Sequence, residues 1–132
     1  MQNPMEKVQT FHEVFGGHVG KTPTVDLPPE TMALRVELLR EEVEEYAQAI
    51  NAGDPVGVAD ALTNILYVLL GAYVTHGLQS PALELFDEVH RSNMSKLDAQ
   101  GKPVYCEDGK VIKSEMFSPP DLESILKRHV DA

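Results

Sequence analysis

A helix that is apolar almost all the way round has to be enclosed by something, and residues 55–76 read as such a helix. Val58, Leu62, Ile65, Leu66, Leu69 and Leu70 leave it no wide polar face. Asp54 suits an N-cap, Pro55 a first helical position, and Gly77 a helix stop. The preceding segment, from about Pro29 to Asn51, is also helical in pattern. Its Val36, Leu39, Val43, Ala47 and Ile50 form a stripe expected to face the core. Only Asn51-Ala52-Gly53-Asp54 separates the two segments, so they should run antiparallel as a helical hairpin. In that register Glu45 sits level with Asp60, and Glu41 with Asn64.

The remaining elements extend an all-α bundle. Pro4 to Phe15 reads as a short helix with Met5, Val8, His12 and Phe15 on one face, stopped by Gly16-Gly17. A loop follows from His18 to Pro29. Ser80-Pro81 opens a fourth helix running to about Leu97. Asp108-Gly109 lies between two short β-prone runs, which signals a hairpin, and Pro119-Pro120-Asp121 introduces a last helix from Leu122 to His129. The expectation is one domain over residues 1–132, with a helical bundle over 1–98 and a hairpin and tail over 99–132. The tail has too few apolar residues for a core of its own and should lie against the bundle or a partner subunit.

The formal net charge of −10 argues against a nucleic-acid polymer as partner, since backbone binding needs a basic face. An anionic small substrate remains open if a metal supplies positive charge. Cys106 is the single cysteine, which suits a reducing compartment. No signal-peptide pattern occurs over Met1 to Phe15, and the apolar run Ile65–Val74 is short for a bilayer. A cytoplasmic protein without membrane contact is the expectation.

Chemistry concentrates in Arg40-Glu41-Glu42-Val43-Glu44-Glu45. Glu41, Glu42 and Glu45 project opposite the apolar stripe, together with Leu34 and Leu38. Alone, such a run is a solvated helix face. The third helix alters that reading, because Asp60 and Asn64 lie one turn apart on an otherwise apolar helix. Two acidic turns then face two polar turns, and clustered carboxylates repel unless a cation sits between them. Oxygen ligands suit Mg²⁺, with Mn²⁺ possible, better than Zn²⁺. The alternative is an Asp60 that hydrogen-bonds locally. The end of the fourth helix is basic, with Arg91, Asn93 and Lys96. These residues suit either phosphate contact or favourable placement of cations at a helix C-terminus.

Arg40-Glu-Glu-Val-Glu-Glu-Tyr-Ala-Gln-Ala-Ile50 resembles the E-E-x-x-E helix of the MazG-like nucleoside triphosphate pyrophosphohydrolases, the all-α superfamily that includes phosphoribosyl-ATP pyrophosphohydrolases. Val58-Ala-Asp-Ala-Leu-Thr-Asn-Ile-Leu-Tyr67 resembles its second acidic helix. Phe86 to Leu97, with Gly101-Lys-Pro and Asp108-Gly-Lys, resembles a Cof-like subgroup. The resemblance implies Mg²⁺-dependent cleavage between the α and β phosphates, giving a nucleoside monophosphate and pyrophosphate. It makes Glu42 and Glu45 metal ligands and Glu41 a ligand or the base. It places Asp60 and Asn64 on the metal from the third helix, and Asn93 and Lys96, with Arg91 beside them, on the nucleotide. His12 and Phe15 are candidates to line a base pocket, with a core or interface role as the alternative. It further implies a homodimer or a dimer of dimers.

One departure stands out. The superfamily's E-x-x-D motif falls on Ala61 and Asn64, with Asp60 adjacent. An amide can ligate Mg²⁺ but brings no charge. A catalytically weak nucleotide- or metal-binding module, or a helical interaction protein, are therefore the rival expectations.

Overall fold

The computed structural model describes residues 2–130. Five helices and one two-stranded hairpin follow in order: α1 (Gln2–Phe15), α2 (Pro29–Asn51), α3 (Pro55–Thr75), α4 (Ala82–Met94), β1 (Val104–Tyr105), β2 (Val111–Ile112) and α5 (Leu122–Val130). The fold is all-α with a short hairpin and tail, as the patterning implies. The chain divides between Ser80 and Pro81 into two compact units.

In the first unit α3 is central, with α2 packed along one side and α1 along another. Asp54 caps α3, its carboxylate accepting the Gly57 N–H at 3.0 Å. The α2–α3 hairpin has the expected antiparallel register. Near the turn, a Cβ built on Gly57 would lie 3.2 Å from the Ala49 methyl, and further along Arg35 Nη2 donates to the Val68 carbonyl at 3.3 Å. The helices therefore stay in contact over several turns.

The core is small. Met5, Val8 and His12 from α1 meet Leu70, Val74 and Thr75 from α3. Two expectations are corrected. Most of the α2 stripe assigned to the core faces outward in this chain: Val36, Val43 and Ile50 are each 53% exposed and Ala47 is exposed, Leu39 alone of the stripe staying half-buried, and α2 buries no residue fully. The row turned toward α3 is instead Met32, Arg35, Leu39, Glu42, Tyr46 and Ala49, all half-buried at helical spacing. Likewise α3 is central but not enclosed, since Leu62, Leu66 and Leu69 remain exposed. Two neighbouring helices cannot cover the whole circumference of a third. Phe15 also leaves the α1 core face; it is exposed and stacks on Phe11 at 4.5 Å between ring centroids. By length and composition alone α3 taken whole passes for a membrane span, a weak test that the core helices of soluble proteins also pass.

A backbone seam ties the loop after α1 to the end of α3. Gly20 N–H donates to Val74 O at 2.8 Å and Thr24 N–H to His76 O at 3.0 Å. In return His76 Nδ1–H donates to Thr24 O at 2.9 Å, and Gln79 Nε2 to Gly20 O at 2.7 Å. Gly77, just past the C-cap, has φ +70°, which favours glycine. A Cβ on Gly20 would lie 2.5 Å from the Gly77 nitrogen, so the two chains meet without side chains between them.

In the second unit the hairpin pairs Val104 with Ile112 and Tyr105 with Val111, turning through Asp108-Gly109 as read from sequence. Helix α4 ends at Met94, before the expected Leu97. There Ser95 leaves the helix to accept the Ser118 N–H at 2.8 Å, and Ser114 Oγ donates to the Leu97 carbonyl at 2.7 Å. Helix α5 buries Ile125, and Arg128 pairs with Glu84 of α4. Glu88 fastens the start of α5, accepting from the Asp121 N–H at 2.7 Å and from Arg91 Nε at 2.8 Å.

The Arg91 guanidinium first, and the Asp121 N–H second, hold the Glu88 carboxyl down to about 2, from an ordinary 4.5. A depressed carboxylate contributes stability above its ordinary value and loses it as pH falls toward the depressed one. The Asp121 amide resonance is therefore expected to shift between pH 4.5 and about 2. Glu88→Gln should remove that titration. The pair is open to water, so the overall stability change should be modest.

Candidate functional site

Helix α2 carries the acids because Arg40 to Glu45 continue a strong helix-forming run, and the short turn into α3 brings Asp60 back beside them. Glu42 belongs to the row facing α3, while Glu41 and Glu45 flank it on the exposed side. Burial, then hydrogen bonding and repulsion from Glu45, then the charges of Asp60 and Glu41, push the Glu42 carboxyl up. The hairpin thus brings Glu41, Glu42, Glu45 and Asp60 into one electrostatic cluster. Asn64 turns its amide onto Asp60, donating from Nδ2 to the backbone carbonyl at 3.0 Å and to Oδ1 at 3.2 Å. Asp60 therefore does bond locally, and the donor is Asn64.

Among the described residues, no three carboxylates, histidines or cysteines converge tightly enough to hold a metal ion as they stand. One atom nevertheless fits a cation. Glu42 Oε2 is shielded from solvent and accepts no hydrogen bond. An unpartnered carboxylate oxygen beside three further acids is costly unless positive charge reaches it. Glu45 and Asp60 are exposed beside it, and Asn64 lies on the same face of α3 as Asp60.

The other sequence candidates are placed as follows. His12 is buried, and its Nδ1–H donates to the His18 carbonyl at 3.0 Å. Phe15 is 72% exposed. Arg91, Asn93 and Lys96 lie in the second unit. Asn93 is exposed, Lys96 half-buried, and Arg91 is committed to Glu88 and, at 3.1 Å, to the Pro119 carbonyl.

Sequence reasoning missed Arg35. Its guanidinium lies in the α2–α3 seam, its Nε finds no partner, and burial lowers its pKa. The available signal was position: Arg35 stands seven residues before Glu42, hence on the same helix face.

The helical hairpin sets an acidic turn against a polar one, with an unpartnered carboxylate oxygen between them. Residues 8–93 match the phosphoribosyl-ATP pyrophosphohydrolase family, and the chain belongs to it. That places it in the MazG-like all-α superfamily. An uncharacterized protein of Acanthamoeba polyphaga mimivirus is 27% identical over 113 residues, covering 83% of this chain and 41% of that protein. The chain thus spans well under half the length of this relative.

Proposed function

We propose that the chain is a Mg²⁺-dependent nucleoside triphosphate pyrophosphohydrolase, cleaving between the α and β phosphates to release a nucleoside monophosphate and pyrophosphate. The observation that carries the reading is the shielded, unpartnered Glu42 oxygen within the Glu41–Glu45–Asp60 cluster. In this reading Glu42, Glu45 and Asp60 hold the metal, with Asn64 Oδ1 as a neutral ligand. When bound, Mg²⁺ (or Mn²⁺) polarises phosphoryl oxygens and offsets their charge. Glu41, on the open side, takes the proton from the attacking water. Attack at the α phosphorus then depends on positioning rather than on a covalent intermediate. The family resemblance assigns Asn93, Lys96 and Arg91 to the nucleotide, and His12 and Phe15 are the candidates to serve the base.

Pyrophosphate release from a nucleotide panel, with Mg²⁺ and with chelator, tests this directly. No metal-dependent release from any nucleoside triphosphate would overturn it. A catalytically weak module is the second reading, favoured by Asn64, whose amide is held on Asp60. We place the protein in the cytoplasm, as a homodimer or dimer of dimers with no membrane or nucleic-acid partner. The exposed stripes on α2 and α3 support the oligomer.

Asn64 also separates the two readings. Asn64→Asp removes the donor that Asp60 accepts and adds a fourth negative charge near Glu42. The variant is expected to melt at lower temperature without metal, since like charges in one site repel. It should bind Mg²⁺ more tightly and turn over roughly tenfold faster, about 1.4 kcal/mol of metal-dependent stabilisation. Calorimetric Mg²⁺ titration and a pyrophosphate-release assay check both; unchanged affinity and rate would remove Asn64 from the metal.

A further inference from the structure

An apolar cavity opens between α1 and α3, next to the acids but outside their cluster. Lys7 and Val8 of α1 meet Thr63, Leu66, Tyr67 and Leu70 of α3 around about 280 Å³ of space. Val8 and Leu70 are buried and close its inner side. Lys7, Thr63, Leu66 and Tyr67 are exposed, so its outer side is open to water. The Tyr67 ring is braced from α1 by Phe11, which meets it edge-on at 5.8 Å.

Position matters here as much as lining. Thr63 stands one turn and Tyr67 two turns beyond Asp60 on the same helix. By helical rise these walls lie about 5 and 10 Å along α3 from the acids. The cavity is too small for a whole nucleotide, since pockets that enclose a drug-sized ligand run from about 300 to 1,000 Å³. It suits one flat ring system, with the phosphates left outside on the acidic side. Polar atoms on its walls are few. Thr63 Oγ1 already donates its proton to the Ala59 carbonyl at 2.7 Å. Lys7 is exposed, so its stem lines the cavity while its ammonium stays in water. No amide, carboxylate or guanidinium side chain is in the lining, so none of these offers the paired in-plane contacts that read a base edge.

We infer that this cavity is the base-holding end of the substrate site and selects a nucleobase by ring size rather than by its hydrogen-bonding edge. A purine covers more of Val8, Leu66 and Leu70 than a pyrimidine does. Adenine and hypoxanthine differ only at an edge that the cavity leaves in water. The base then lies one turn before His12 on α1, and Phe15 reaches it only through Phe11, on which it stacks. The inference rests on the pyrophosphohydrolase reading for what lies at the acidic end, but the cavity can be tested without it.

Neutral nucleosides need neither metal nor acids. Methyl resonances of the protein, followed during titration with adenosine, inosine and uridine in chelator, report the cavity directly. The Val8 and Leu70 methyls are expected to shift saturably with adenosine at millimolar concentration, while those of Val111 and Ile112 in the hairpin stay in place. Adenosine should bind about fivefold more tightly than uridine, because its second ring buries more apolar surface, and within about twofold of inosine. Thr63→Phe places a ring in the cavity from an exposed position and should weaken adenosine binding about tenfold or more. No saturable shift at Val8 and Leu70, uridine binding as well as adenosine, a tenfold difference between adenosine and inosine, or unchanged binding by Thr63→Phe would overturn the inference. Should the variant fail to fold, the wild-type titrations still decide. A protein that releases pyrophosphate but leaves the cavity methyls unmoved fails only this inference. One that binds the nucleosides there but releases no pyrophosphate fails only the proposed activity.

Discussion

Glu42→Gln is expected to lower Mg²⁺-dependent pyrophosphate release by about 100-fold or more, the scale of losing one charged contact to a reacting phosphate. The same change should raise the melting temperature of the metal-free protein. Both effects follow from one fact: Glu42 is a shielded carboxylate that Glu45, Asp60 and Glu41 disfavour, with one oxygen accepting nothing. A neutral amide of the same shape relieves the repulsion, keeps helix propensity, and donates where acceptors are plentiful. It also removes the oxygen best placed for a cation. Opposite signs in stability and turnover distinguish a lost ligand from a damaged fold, which would lower both. Unchanged turnover would detach Glu42 from the metal. Glu45→Gln should lose turnover too, with less gain in stability, because Glu45 is exposed.

Placing aspartate at both Val43 and Leu62 is expected to yield monomers at micromolar concentration, where the unaltered protein is expected to sediment as a dimer or larger. Val36, Val43 and Ile50 repeat every seven residues on α2, and Leu62, Leu66 and Leu69 line α3; nothing in the first unit covers either row. An exposed apolar face of this extent is unusual for a protein that stays single. A carboxylate forced into an apolar interface costs several kcal/mol, so two should weaken association by about a thousandfold. Sedimentation velocity reads the result. A wild type that is already monomeric, or a double variant that remains associated, would refute the proposed surface.

These two cases also mark what could be read in the residues alone. Helix ends were legible where capping chemistry is local: Pro29, Asp54-Pro55 and Gly77 set the bounds of α2 and α3. The hairpin register followed from a turn too short to allow another; it set Glu45 level with Asp60, and the structure brings Glu42 close to Asp60 as well. The facing of α2 was not legible. Val36, Val43 and Ile50 make one apolar row and Leu39, Tyr46 and Ala49 another, and periodicity cannot say which row meets its own chain. Burial within the chain chose the second. Arg35 went unnoticed because a lone cation on a helix is ordinary until its surroundings show that no acid answers it.

The seam between Gly20 and Gly77 has a consequence for how sequences of this kind can drift. On the loop's side its contacts are all main chain, so they demand no particular side chain from the loop, only those of His76 and Gln79 opposite it. The remaining requirement falls on two positions that must stay bare. Around them, lysine, threonine, valine or proline can be exchanged while the loop keeps its path and the His18 carbonyl keeps its place against His12. Two residues with no chemistry of their own therefore keep the record of where the loop after α1 meets the end of α3, and the rest of that loop can diverge without that record being lost.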